Sequence, residues 1–152
     1  MRKFEIVKDN KRKNKNTKIR LPKRGTNYSA GYDFCTPVDI EIEPYGTSEL
    51  IFTDVKACMN KNEVLLLHIR SSLGIKQNLV LANTTGVIDS DYYENEDNDG
   101  NIGFKLRNLS DKTVRISAGE RVFQGIFMNY LTVDDEENLE TARTSGFGST
   151  GN

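Results

Sequence analysis

Tryptophan is absent from this 152-residue sequence, histidine occurs once (His68), and cysteine occurs twice (Cys35 and Cys58). A single imidazole excludes any catalytic scheme that needs two histidines. Two cysteines this far apart are too few for a structural zinc site or a disulfide framework. Both read as free thiols in a reducing compartment, with a lone disulfide as the alternative. Excess charge is missing too. The formal net charge is −1, so no global basic field draws the chain to nucleic acid. No apolar run approaches the roughly 20 residues of a membrane-spanning helix. Met1-Arg2-Lys3-Phe4-Glu5 has no apolar segment of the kind that opens a signal peptide. These absences lead us to expect a cytoplasmic protein without membrane contact, and they argue against nucleic acid as a partner.

What remains is ordinary soluble composition, 36% hydrophobic and 28% charged, on a chain long enough for one domain with a sizeable core. Few stretches show sustained helical periodicity. Short extended runs separated by turn residues dominate, which predicts an all-β domain. Phe4 to Val7 reads as a first strand, and the Lys- and Arg-rich stretch from Lys8 to Arg24 as a solvated loop. Val38 to Ile42 alternates apolar with acidic residues, as a half-buried strand does, and Pro44-Tyr45-Gly46 is a turn. Glu63 to Ile69 predicts a buried strand. Further strands follow at Ile102 to Leu106, at Val114 to Ile116 and from Val122 to Tyr130. One short helix is expected, capped by Ser71 or Ser72 and running from Leu73 to Leu79. No linker and no repeat interrupts the chain. The expected organisation is a β-rich domain over 1–141, followed by a mobile Gly-rich arm over 142–152.

Five segments carry candidate chemistry. In Ala30-Gly31-Tyr32-Asp33 a carboxylate follows a bend that glycine permits, an arrangement that also suits a simple turn cap. In Arg70-Ser71-Ser72-Leu73-Gly74 a cation and two hydroxyls open the expected helix, where backbone N–H groups and Arg both favour an anion. In Gly86-Val87-Ile88-Asp89-Ser90-Asp91-Tyr92 two apolar residues lead into Asp89, a carboxylate that can hold a water as general base. Tyr92 offers a flat ring for packing against a sugar. Arg121 and Gln124 sit in a strand pattern, where neither is easily buried without a partner; an intramolecular ion pair accounts for Arg121 as well as a ligand does. The Gly-rich tail after Arg143 has backbone amides that can wrap a phosphate chain.

In order and spacing these five segments resemble the motifs of the trimeric dUTP pyrophosphatase (dUTPase) family, from about Leu21 to Asn152. The resemblance implies a jelly-roll-like fold, a homotrimer with active sites shared between subunits, and hydrolysis of dUTP to dUMP and pyrophosphate with Mg²⁺. It implies that Asp89 activates the water that attacks the α-phosphorus and that Tyr92 stacks under the deoxyribose and excludes a 2′-hydroxyl. Asn83, Val87, Ile88 and Gly103 would read uracil. Arg70, Ser71, Ser72 and Gln124 would hold the phosphates, and Arg143, Phe147, Gly148 and Ser149 would close over the nucleotide. Asp33 would reach the magnesium through water, and Arg121 would be structural. A dCTP deaminase-like enzyme on the same fold is the alternative, as is a regulatory protein that keeps the scaffold. Many relatives have a Gly-containing bend soon after the motif's tyrosine, where this chain carries residues 93–99. That acidic insert reads as a solvated hairpin tip turning at Asp99-Gly100, or else as a surface for a protein partner.

Overall fold

The computed structural model describes residues 1–135. Thirteen strands and one helix follow in chain order: β1 (Lys3–Ile6), β2 (Lys23–Arg24), β3 (Tyr32–Cys35), β4 (Ile40–Ile42), β5 (Ile51–Phe52), β6 (Val55–Cys58), β7 (Glu63–Ile69), α1 (Ser71–Gln77), β8 (Leu79–Leu81), β9 (Gly86–Asp89), β10 (Gly103–Phe104), β11 (Leu106–Asn108), β12 (Val114–Ile116) and β13 (Arg121–Asn129). One five-stranded sheet, in the order β2-β3-β13-β7-β9, is joined by four two-stranded pairs: β1-β6, β5-β10, β8-β11 and β4-β12. All the pairings are antiparallel. The result is the expected all-β, jelly-roll-like fold with one short helix. No helix among the described residues is long and apolar enough to cross a membrane.

Alternation places the core on one face of the five-stranded sheet. In β7, Leu65 and Leu67 are buried while Val64 and Leu66 point to the other face. Phe34 of β3 and Phe123 of β13 stack with centroids 4.7 Å apart, and Phe104 packs on Phe123 at 5.0 Å. Phe4 of β1 meets Tyr32, Phe34 and Phe127 edge-on or tilted, which fastens β1–β6 to the large sheet. Each such aromatic pair adds about 1 kcal/mol to the area it buries.

Several expectations need local correction. The helix spans Ser71–Gln77, and its N-cap is Arg70 with no side-chain cap bond, so neither serine caps it. The backbone of Arg70 stays extended because its N–H is still donated to Val122 O at 3.2 Å; its own carbonyl then accepts the N–H groups of Leu73 and Gly74. The strand begun at Val38 starts only at Ile40, because the chain turns where the Thr36 hydroxyl donates to Val38 O at 2.7 Å. The period-two run from Ile102 to Leu106 splits in two. β10 pairs with β5 and β11 with β8, and the intervening Lys105 carbonyl accepts the Ala82 N–H. The stretch from Lys8 to Arg24 is pinned rather than solvated throughout. The Lys13 and Asn14 N–H groups donate to the buried Asp54 carboxylate at 2.8 and 2.7 Å, and Lys23–Arg24 joins the large sheet as β2.

Candidate functional site

Cross-strand partners share a face of a sheet, so the register defines what the outer face of the five-stranded sheet presents. One row runs Lys23–Asp33–Gln124–His68, and the next runs Ile126–Leu66–Val87. Beyond these lies Met128–Val64–Asp89. A polar end, an apolar middle and the Asp89 carboxylate therefore follow one another across the same surface.

At the polar end, Asp33 lies between two guanidinium groups. Its Oδ1 is 3.0 Å from Arg70 Nε, and its Oδ2 accepts from Arg121 Nη1 at 3.0 Å. Arg121 stands at the irregularity where β13 shifts register against β3, so its side chain leaves the regular alternation and reaches sideways to Asp33. The ion pair expected for Arg121 is thus made, and Asp33 is the partner. Gly31 supplies the clearance for this arrangement, because any Cβ there would collide with the Gln124 carboxamide. A cleft of about 810 Å³ opens beside these groups, and Ser72 lines it too. Its walls carry six cations, Lys18, Arg20, Lys23, Arg24, Arg70 and Arg121, against Asp33 and Glu120. Sequence reading missed the first four, because their stretch lacks the alternation that marks a strand face. The cleft suits an extended anion.

A second group gathers around β9. Asn83 is exposed in the loop between β8 and β9, which the β8–β11 pairing and the Ala82 N–H to Lys105 O bond (2.8 Å) hold beside β10 and Gly103. Val87 is 58% exposed although it is apolar, and Ile88 faces the core. Asp89 ends β9 exposed, on the edge strand of the sheet, and does not use its side chain to cap the 3-10 turn that follows. Tyr92 closes that turn almost completely buried, its hydroxyl donating to Asn101 O at 2.9 Å and accepting from Asn98 Nδ2 at 2.8 Å.

The two groups lie far apart within one chain. Asp89 is opposite Val64, near the start of β7, and Arg70 directly follows its end. Six residues at about 3.3 Å each separate them by about 20 Å. The structure therefore brings Asp33, Arg70, Ser72 and Gln124 together, and separately Asn83, Val87, Ile88, Asp89, Tyr92 and Gly103. Arg143, Phe147, Gly148, Ser149 and the expected 142–152 arm lie outside the described residues.

The acidic insert is not a solvated hairpin tip. Asn95, Asn98 and Asp99 are buried, leaving Glu94, Glu96 and Asp97 at the surface. Lys56 Nζ, itself buried, lies 3.0 Å from both Glu94 and Asp99, and the Lys8 N–H donates to Asp99 at 2.8 Å. Burial pushes the Asp99 carboxyl up, but the Lys8 N–H and the Lys56 ammonium outweigh it and hold it below its ordinary range. The same burial pulls Lys56 down, and its two carboxylates more than restore it. The turn signal at Asp99-Gly100 holds, with φ of +61° and +81°. Cys35 and Cys58 are free thiols.

Comparison with known proteins identifies the family. A family model for dUTPase matches residues 17–151. A deoxyuridine 5′-triphosphate nucleotidohydrolase from Lactococcus lactis subsp. lactis is 48% identical over 152 residues, covering 99% of this chain and 98% of its own length. One from Wolinella succinogenes is 35% identical over 127 residues, covering 81% and 80%. The crystal structure of dUTPase from Streptococcus mutans superposes with a TM-score of 0.73 at 45% identity, over 86% of this chain and 98% of that one.

Proposed function

Because the chain belongs to the dUTPase family, we infer that its two separated groups of site residues are halves of one active centre that closes between subunits. The reaction is that of a dUTP diphosphatase, hydrolysis of dUTP to dUMP and pyrophosphate. The observation that carries the shared-site reading is the separation of about 20 Å between Asp89 and Arg70, longer than a triphosphate chain. The apolar row Ile126–Leu66–Val87 between them supports the same reading, since a neighbouring subunit that covers it can bring its own Asp89 to this chain's Arg70. A closed homotrimer is the assembly we assign.

Within that centre Asp89 takes the proton from the attacking water as the water adds to the α-phosphorus, and pyrophosphate leaves. The cationic cleft binds the leaving group: Arg70, Ser71, Ser72 and Gln124 contact its phosphate oxygens, and charge neutralisation there matters more than covalent chemistry. Uracil is read by Asn83, by the backbone of Val87 and Ile88, and near Gly103. Tyr92 packs under the deoxyribose, and Arg143, Phe147, Gly148 and Ser149 of the 142–152 arm cover the nucleotide.

Magnesium fits the residues present. Among the described residues no three His, Cys, Asp or Glu side chains converge on one point, as suits a hard cation that keeps several waters and takes its other ligands from phosphate. Each Asp33 oxygen has a second lone pair beyond its arginine contact, enough to accept from a metal-bound water. When bound, the ion neutralises phosphate charge. Two free thiols support a reducing, cytoplasmic setting.

Pyrophosphate and ammonia release from dUTP, dCTP, UTP and dTTP, with and without Mg²⁺, tests the assignment. Pyrophosphate from dUTP alone is expected; ammonia from dCTP would instead identify a deaminase. Light scattering should give three chains, and a fully active monomer would refute the shared site.

A further inference from the structure

We propose that the insert following Tyr92 is a positioning device, in which Asn95 and Asn98 fix the plane of the Tyr92 ring and so set the enzyme's discrimination against ribonucleotides. The inference rests on the reading of Tyr92 as the residue beneath the sugar. Both ends of that tyrosine are held by the insert. At the backbone end, Tyr92 O accepts from Asn95 Nδ2 at 2.8 Å. At the far end, the hydroxyl accepts from Asn98 Nδ2 at 2.8 Å and donates to Asn101 O at 2.9 Å. The two amides are tied to each other, Asn95 Nδ2 donating to Asn98 Oδ1 at 2.8 Å. Asn95 Oδ1 accepts the N–H groups of Asp97 and Asn98, at 3.1 and 3.0 Å, and Asn98 Oδ1 also accepts the Gly100 N–H at 3.0 Å.

This is a closed polar network at low exposure: Asn95 is 7%, Asn98 8% and Asn101 0% exposed. Buried amides with satisfied partners rigidify the groups they touch, and removing one leaves its partners short of a bond. Gly100 belongs to the same device. Its φ of +81° lets the chain turn back, and a Cβ there would stand 2.9 Å from Tyr92 O. The insert is anchored in turn, at Asp99 by Lys56 and the Lys8 N–H and at Asn101 by Asp54, to whose carboxylate Asn101 Nδ2 donates at 2.9 Å. A phenol held at its hydroxyl cannot pivot about its Cβ, so the surface it offers the sugar cannot yield to an added 2′-hydroxyl.

The test is the ratio of kcat/KM for dUTP over UTP. Asn98→Leu keeps volume and removes the donor to the Tyr92 hydroxyl, along with the Oδ1 that accepts from Asn95 and Gly100. It should lower the ratio about fivefold, the equivalent of one net hydrogen bond, because UTP gains relative to dUTP. Tyr92→Phe removes the same bond from the other side, together with the hydroxyl's donation to Asn101 O, and should lower the ratio at least as far. Loss of stability alone would scale both substrates together and leave the ratio unchanged. An unchanged ratio in Asn98→Leu and Tyr92→Phe, with a collapsed ratio in Tyr92→Ala, overturns the positioning role alone. If Tyr92→Ala also leaves the ratio unchanged, the sugar-contact reading falls with it. Should Asn98→Leu fail to fold, Tyr92→Phe carries the test.

Discussion

Two aspartates with similar sequence settings, each at or beside a strand end, have different surroundings and therefore different work. Asp33 lies between Arg70 and Arg121, a setting that fixes a carboxylate and stabilises its charge. Asp89 stands at the exposed end of an edge strand, where a water can reach it. Asp89→Asn should therefore lower kcat by about 10²–10⁴-fold, the usual worth of a general base, with KM for dUTP little changed; near-normal turnover would remove Asp89 from the mechanism. Gly31 gives a subtler prediction. Alanine there pushes against the Gln124 carboxamide, an overpacking of about 1–3 kcal/mol. The side chain that yields is one we assign to phosphate, so steady-state kinetics of Gly31→Ala should show a raised KM. An unaltered KM in a folded variant would mean that Gln124 is not a phosphate ligand.

At the scale of elements, the ties at the start of the chain set the response to acid. The Arg2 guanidinium bonds the Glu63 carboxylate, with help from Asn60, joining the N-terminus ahead of β1 to the start of β7. Arg2 holds that carboxyl down at about 2, from 4.5. A carboxylate lowered on folding stabilises the protein fully above its ordinary value, and that stability is lost as pH falls through the folded one. Denaturation midpoints should drop between about pH 4.5 and 2 partly through Glu63, and Glu63→Gln should flatten the slope there. Identical slopes would place the acid sensitivity elsewhere. The insert is a second element, with the Asp99 carboxylate buried inside it. Breaking the buried Lys56–Asp99 pair by Asp99→Asn should cost about 3–5 kcal/mol, read by chemical denaturation; a loss below about 1 kcal/mol would show that Glu94 alone satisfies Lys56.

For the whole molecule, the decisive feature is the distance of about 20 Å within one chain between Asp89 and Arg70, to which we assign the base and the phosphate contact. Mixing Asp89→Asn chains with Arg70→Ala chains, each inactive as a homo-oligomer, should restore activity at sites that receive Arg70 from one chain and Asp89 from the other. Mixtures as inactive as their components would exclude the shared centre.

Much of this was legible in the sequence. The apolar run from Glu63 to Ile69 and the alternation at Val114 and Ile116 specified strands. Strand period and turn chemistry are local properties that neighbouring residues determine, whereas the roles expected of Asp33, Arg70, Asp89 and Gln124 came from the resemblance of their segments to the dUTPase motifs. Tertiary structure alone decided the rest. It switched the partners of the run from Ile102 to Leu106 and handed the helix cap to Arg70, whose N–H the neighbouring strand β13 had claimed. It also buried an insert whose composition reads as solvent-exposed, since Glu94 and Asp99 meet Lys56, which lies 38 and 43 residues earlier in the chain. The distance between Asp89 and Arg70 is of the same kind: it follows from which strands pair and in what register, a long-range choice that no window of sequence contains.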